Sequence, residues 1–298
     1  MKKALIIGDV HLGTSTFHPY IKNNLEYILS NIPEDVSDLI WAGDIIASWK
    51  WIQQDVGLRY IVELFAKHLK QFNNYLIMGN HDLLPKTGQS ALSFLNSLDN
   101  VTVVNEPLEY TDKILLVPHN YNGHLLEKKY NVVVAHLGLY GIKVNNITYN
   151  KPDVLSWHKE TKPDFIICGH IHSSELITND NAIETILVGA ISPTNWGEDY
   201  PDRIGAIVVE VTPSGEITTD IQQMPMLKTT IHKDTDTNIR TINHDNENVY
   251  QEEYTEKIRP PEIRSKGETI EDIIKTVCKE QGVDFDEVFT YLKEIGLQ

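Results

Sequence analysis

Short runs of consecutive apolar residues recur through the first two thirds of the chain, and stretches with helical spacing separate the earlier ones. The runs are Ala4–Ile7, Leu39–Ala42, Tyr75–Met78, Val101–Val104, Ile114–Val117, Val132–Ala135, Phe165–Cys168, Ile183–Val188, Ile204–Val211 and Ile217–Gln222. Runs this short predict buried strands rather than helices. Helices are predicted over Tyr20–Ser30, Gln54–Lys70 and Ser90–Leu98. Strands alternating with helices predict an α/β layered fold. The later strands follow one another without helices, and Pro213-Ser214-Gly215 reads as a hairpin turn. Antiparallel strands are therefore expected to join the parallel ones, in a mixed sheet or a sandwich of two sheets.

Beyond Met226 the apolar pattern degrades. Residues 227–264 are rich in Thr, Asn, Asp, Lys and Glu and end near Pro260-Pro261, which reads as a linker or a vestigial capping segment. Two helices are predicted after it. Ile270, Ile273, Ile274 and Val277 fall at helical spacing, with Gly282 as a stop. Asp284 and Glu287 then form a capping-box-like start for Val288, Phe289, Leu292 and Ile295. Isolated helices this short are marginal in water, so their apolar stripes need a larger surface, on a partner or on the parent domain. The expected division is a catalytic domain over 1–226, a linker over 227–264 and a helical partner-docking appendage over 265–298.

A hydrophobic fraction of 41% is enough for a sizeable core. Cys168 and Cys278 have neither metal-ligand spacing nor a disulfide framework, which favours a reducing cytoplasm. The first apolar run is too short for a signal peptide, and no membrane span is expected. The net charge of −16 is unfavourable for binding nucleic acid. It is uneven, however: residues 191–298 hold 22 acidic and 11 basic side chains, a balance of −11, and leave −5 for residues 1–190.

Five polar segments directly follow predicted strands. They are Gly8-Asp9-Val10-His11, Gly43-Asp44, Gly79-Asn80-His81-Asp82, Ala135-His136 and Gly169-His170-Ile171-His172. Each alone is ordinary, because Asn, Asp and Gly leave many strands and a lone His is usually structural. In open α/β sheets, however, ligands bind beyond the carboxyl ends of the strands, so five such segments can converge. The set offers carboxylates, an amide oxygen and imidazoles with no thiolate, which suits Mn2+, Fe or Zn2+ in an open catalytic site. The donors are too many for one ion. Two ions need a bridge, which a carboxylate supplies, and two ions can clamp a phosphate ester.

This ordered set resembles the calcineurin-like metallophosphoesterase family over roughly residues 3–225. The resemblance implies a four-layer α/β/β/α sandwich with the small C-terminal helical appendage added. It implies two divalent ions, Mn2+ foremost. Asp9, His11 and His172 would hold one, Asn80, His136 and His170 the other, and Asp44 would bridge. His81 would stabilise the transition state or protonate the leaving oxygen, and Asp82 would orient that imidazole or another site residue. Val188-Gly189-Ala190-Ile191-Ser192-Pro193-Thr194-Asn195-Trp196-Gly197-Glu198 is similar to a stretch of SbcD-type nucleases, including phage recombination endonuclease subunits. This second resemblance implies phosphodiester hydrolysis in DNA by a two-metal-activated hydroxide. It also implies exonuclease or endonuclease activity in repair or recombination, an SbcC-like coiled-coil ATPase partner, and a homodimer. The alternative is a phosphodiesterase or phosphatase acting on a small molecule or cyclic nucleotide.

The family often carries a second acidic residue after Gly-Asp, where this chain has Ile45, Ile46, Ala47 and Ser48. Trp49 and Trp51 flank Lys50 beyond Asp44, where they could stack bases, line a dimer contact or pack the loop. His119, His124 and His158 are expected not to be ligands. His232 and His244 are expected to be solvated.

Overall fold

The computed structural model describes residues 2–14, 18–119, 121, 128–138, 143–144, 147–148, 162–173, 175–178 and 183–192, then five strand segments between 206 and 252, and residues 275, 278–279 and 285–286. β1 (Lys2–Ile7), β2 (Val36–Trp41), β3 (Asn73–Ile77) and β4 (Val101–Val104) lie side by side and parallel. Among the described residues, α1 (His18–Ser30), α2 (Trp49–Ile52) and α3 (Asp55–Glu63) make the helical connections between the first three. The chain then crosses to a second sheet through β5 (Leu108–Glu109), β6 (Ile114–Val117) and β7 (Val132–Ala135). A small hairpin, β8 (Lys143–Val144) with β9 (Ile147–Thr148), precedes β10 (Phe165–Cys168), β11 (Glu175–Thr178) and β12 (Glu184–Leu187). β13 (Ala206–Val211) and β14 (Ile217–Gln223) return to the first sheet and pair antiparallel. The turn expected at Pro213–Gly215 lies outside the described residues.

The strand orders are β14-β13-β1-β2-β3-β4 and β11-β12-β10-β7-β6-β5. Each sheet is a block of four parallel strands with antiparallel strands at its margin. Side chains alternate along a strand, so a parallel strand between two layers must be apolar on both faces. In β1, Ala4 and Ile6 meet the second sheet while Leu5 and Ile7 meet the helices. In β6, Ile114 and Leu116 join the same inter-sheet cluster while Leu115 and Val117 enter a third cluster on the far side. This is why the sequence shows continuous apolar runs and not alternation. The Ile6 side chain is buried between the sheets, and cutting it to Ala would cost about 2–5 kcal/mol.

α1 lays Ile21, Leu25 and Ile28 on the outer face of the first sheet, at the i, i+4, i+7 spacing of an amphipathic helix. The helix expected over Gln54–Lys70 is α-helical only to Glu63 and continues as a π-helical turn over Leu64–His68. The helix expected over Ser90–Leu98 is a single 3-10 turn, Ser93–Ser97. Side chains compete with helical bonds there. Asn96 Oδ1 accepts from Val103 N–H at 2.7 Å, Asn105 Oδ1 accepts from Ser90 N–H at 2.7 Å, and Asn105 Nδ2 donates to Ser93 Oγ at 3.0 Å.

Within 227–264, β15 (Thr229–Lys233), β16 (Arg240–His244) and β17 (Val249–Glu252) pair antiparallel in a sheet of their own. The two helices expected near the C-terminus fall mostly outside the described residues; of the described ones, Lys275, Cys278, Lys279, Phe285 and Asp286 are helical. Cys278 is buried in the helical-layer core and Phe285 packs against that core, with Lys275 Nζ 4.9 Å from the Phe285 ring centroid. Cys278 and Phe285 thus set apolar side chains against the helices and strands of the first sheet. Among the described residues no helix is long and apolar enough to cross a membrane.

Candidate metal centre

Every site residue stands just beyond the carboxyl end of a parallel strand. Asp9 and His11 follow β1, Asp44 follows β2, and Asn80, His81 and Asp82 follow β3. His136 follows β7, and His170 and His172 follow β10. The loops continue the ladders across the two sheets. His11 N–H donates to the Asp44 carbonyl at 2.9 Å, Ile191 N–H to the Asp9 carbonyl at 3.0 Å, and Ala190 N–H to the His172 carbonyl at 3.0 Å. Among the described residues, the non-glycine positions with positive φ are His11 (54°), Asp44 (47°) and His170 (77°). Such backbone is costly and persists where the surroundings enforce it, which concentrates it at functional sites.

Asp9, His11 and His172 bring their donor atoms within 4.8 Å of one another. His11 Nε2 and His172 Nε2 face each other at 3.0 Å. Asp9 Oδ1 accepts from His170 N–H at 3.1 Å, while Asp9 Oδ2 is buried and accepts no hydrogen bond. On the other side, His136 Nε2 and His170 Nδ1 both point at Asn80 Oδ1, at 3.1 and 2.9 Å. Asp44 lies between these sets: its Oδ2 is 3.8 Å from His11 Nε2 and 3.3 Å from His136 Nε2. Gly43 and Gly79 allow this crowding. A Cβ at Gly43, whose φ is 94°, would stand 2.2 Å from His136 Nδ1, and one at Gly79 would stand 2.1 Å from Asp44 Oδ1.

His136 Nδ1 lies 2.7 Å from the Ala42 carbonyl, which can only accept. The proton therefore sits on Nδ1 and aims Nε2 into the site. His81 is held in the same way. Its backbone N–H donates to Asp44 Oδ1 at 2.8 Å and its Nδ1 donates to the Ala47 carbonyl at 2.7 Å. The His81 ring is exposed and packs edge-on to His11, with centroids 4.9 Å apart. Asp82 is fully buried and takes two backbone bonds, from Gly79 N–H at 2.9 Å and Ile46 N–H at 3.1 Å. It ties the Asp44 loop to the Asn80 loop.

Charge in the site is poised for cations. Burial, against the pull of Asp44 and Asp9, pushes the His11 imidazole down to about 4. Burial and the neighbouring His136 push His170 to about 4 as well. Both are therefore neutral near pH 7, as metal ligands must be. Burial would raise the Asp44 carboxyl, but His136, His11 and His81 outweigh it and hold the group below the usual carboxylate range. Burial opposes charge on His136, yet Asp44 and Asp9 raise it well above the ordinary imidazole value. A proton on His136 thus balances the two carboxylates, and a divalent cation supplies the same counter-charge and displaces that proton. Burial and the Asp44 charge push Asp82 to about 7, against the Gly79 and Ile46 N–H groups. The orphaned Asp9 oxygen, the facing imidazole nitrogens and the sulfur-free donor set all fit divalent ions.

The structure adds one residue that the sequence reading set apart. His119, two residues beyond β6, brings a ring nitrogen within 4.8 Å of donors on His136 and His170. The available signal was its place after an apolar run, the rule that the other five segments follow. Trp51 packs its ring on Gly13, where a Cβ would stand 2.3 Å from Trp51 Cγ, and Trp49 also packs against the helical-layer core. His124, His158 and residues 193–198 lie outside the described residues.

The calcineurin-like phosphoesterase family model matches residues 2–174, more than half of the 298 residues. The Pseudomonas putida nuclease MPE is 18% identical, with 69% of this chain and 83% of that one covered and a TM-score of 0.35. A dimetal phosphatase from Danio rerio is 11% identical, with 81% and 95% covered and a TM-score of 0.44. A 5′-nucleotidase precursor from Thermus thermophilus is 14% identical, with 75% of this chain and 54% of that one covered and a TM-score of 0.38. No curated protein matches the chain. The match over residues 2–174 takes in β1 to β10, with strands of both sheets, and every donor described above, and on it the chain belongs to the calcineurin-like phosphoesterase family.

Proposed function

We propose that the chain hydrolyses phosphodiester bonds in DNA with two divalent ions, Mn2+ in the first instance. The observation that carries the two-ion reading is the position of Asp44 Oδ2, between His11 of one donor set and His136 of the other. Asp9, His11 and His172 would hold one ion, Asn80, His136 and His170 the second, and Asp44 both. When bound, two such ions supply Lewis-acid stabilisation of the phosphoryl oxygens and a nucleophile at neutral pH.

The chain's own residues do the rest. His81 is accessible and its Nδ1 is committed to the Ala47 carbonyl, so Nε2 is the atom that takes up or hands over a proton. The bond from His81 N–H to Asp44 Oδ1 ties the acid's position to the bridging carboxylate. Asp82 holds the Asp44 and Asn80 loops at a fixed separation and acts as a positioning residue.

The choice of DNA rests on the likeness of the segment beginning at Val188 to SbcD-type nucleases. Most of the negative charge lies beyond residue 190, and bound cations offset part of the −5 carried by residues 1–190. In this reading an SbcC-like coiled-coil ATPase and a second copy of the chain are the partners, in DNA repair or recombination. The net charge of −16 favours a second reading, hydrolysis of a small or cyclic phosphodiester. Bis-para-nitrophenyl phosphate, a cyclic nucleotide and linear DNA, assayed side by side with Mn2+, decide between them. The proposal expects cleavage of the first and of DNA. Turnover of the cyclic nucleotide with no cleavage of DNA would overturn it.

A further inference from the structure

His119 follows the apolar run Ile114–Val117 after a single proline. β6 runs parallel to β7 with Val117 opposite Ala135, so the chain beyond β6 emerges beside the His136 loop. His119 N–H donates to the Met78 carbonyl at 2.9 Å, which binds this turn to the end of β3, two residues before Asn80. The imidazole is thereby placed between the loop that carries Asn80 and the loop that carries His136. Its ring centroid is 5.9 Å from that of His136, nearly edge-on, and 5.4 Å from that of His170, tilted. The three rings each offer a nitrogen within 4.8 Å of the other two.

We propose that His119 is a further ligand of the ion held by Asn80, His136 and His170; this rests on the two-ion reading above. Without His119 that position has two imidazoles, the shared Asp44 carboxylate and a neutral amide oxygen, which is a weak donor. A third imidazole strengthens it and changes its preference. Nitrogen ligands favour Co2+ and Zn2+ over Mn2+, whereas carboxylate and carbonyl oxygens favour Mn2+. The two positions of this site are then unlike. The one built on Asp9, His11 and His172 has two imidazoles and its own carboxylate. The one beside His119 has three imidazoles and no carboxylate of its own.

The test is a Co2+ titration of the metal-free full chain, followed by calorimetry and by visible absorption, with Mn2+ run in parallel. The wild type is expected to take up two equivalents. In His119→Ala one equivalent should bind as in the wild type, while the other should weaken by about tenfold or more and change its visible spectrum. Its Mn2+ affinity should fall less than its Co2+ affinity. His119→Gln, which keeps size and polarity, should show the same selective loss and serves if the alanine variant does not fold. Two equivalents with wild-type affinities and an unchanged spectrum in a folded variant would overturn the proposal. His136→Ala separates the two readings. If it too leaves both equivalents intact, or the wild type binds fewer than two, the two-ion reading itself fails and the role of His119 fails with it.

Discussion

The two sheets bring different chemistry to one site. The loops after β1, β2 and β3 carry Asp9, Asp44 and Asn80, together with His11 and His81. The loops after β6, β7 and β10 carry only imidazoles: His119, His136, His170 and His172. Neither edge alone can satisfy two hard divalent ions and also shape an open site. The first sheet supplies the negative charge. The second supplies neutral nitrogen donors, and the bond from His170 N–H to Asp9 Oδ1 makes the oxygen side depend on the nitrogen side. The two sheets are thus tied together at this end of the sandwich through the site residues themselves, a tie that point changes on either side can test.

The largest effect belongs to the residue shared by both sets. Asp44→Ala should abolish phosphodiester hydrolysis and lower bound metal, read by elemental analysis of the purified variant. Full activity there would end the two-ion reading. Next comes the steric contact between the sheets. Gly43→Ala forces a Cβ onto the His136 ring at positive φ, and should cost about 2–5 kcal/mol of stability in denaturant unfolding. Gly88 is the control. Its φ is 73°, yet a Cβ there meets nothing within 4 Å, so Gly88→Ala should cost only the left-handed penalty of about 1–2 kcal/mol. Equal costs at the two glycines would mean that the site does not hold the sheets together.

A change on the exposed proton carrier should leave the metal alone. His81→Asn is expected to retain both ions and lose roughly 10²-fold or more in turnover. Loss of metal in that variant would make His81 a ligand. The smallest effect is on the pH dependence of the metal-free protein. His11 and His170 are held at about 4 in the folded chain, below the usual imidazole value, so the unfolded chain binds more protons at these two groups in mildly acidic solution. Stability then falls as pH drops from the ordinary imidazole range towards about 4. Asp82, raised to about 7, works in the opposite direction in this window, and so does His136 at its upper edge, where the fold holds a proton that the unfolded imidazole has not yet fully taken up; below that edge two groups stand against one. A net loss of stability on acidification, by about the proton of one group, is expected in urea unfolding. Stability that rises over that range would refute the burial assigned to the two histidines.

Much of this was legible in the sequence because the parallel strands are buried on both faces. Leu5 and Ile6 point to opposite layers yet both must be apolar, so β1 reads as a run. The same property set the strand ends, and with them Asp9, Asp44, Asn80, His136 and His170. The rest depended on interactions that no local pattern encodes. Ser90–Leu98 has helical spacing, but Asn96 and Asn105 bond across to β4 and to the turn itself. β15–β17 carry Thr, His and Lys in place of apolar runs, so their strands do not show in the sequence, which reads as a linker or a vestigial capping segment. Asp82 sits beside His81 in sequence, while its carboxylate serves backbone groups of two loops. His119 follows a proline outside any repeated motif, and its place beside His136 comes from the pairing of β6 with β7.

In the proposed mechanism two ions, held where the sheets meet, are both required for hydrolysis. The most direct measurement is the rate on bis-para-nitrophenyl phosphate as Mn2+ is added to the metal-free chain, at a protein concentration well above the dissociation constants. No turnover is expected at the start, little after one equivalent and a plateau at two. Activity without added metal, or a plateau reached at one equivalent, would contradict this mechanism.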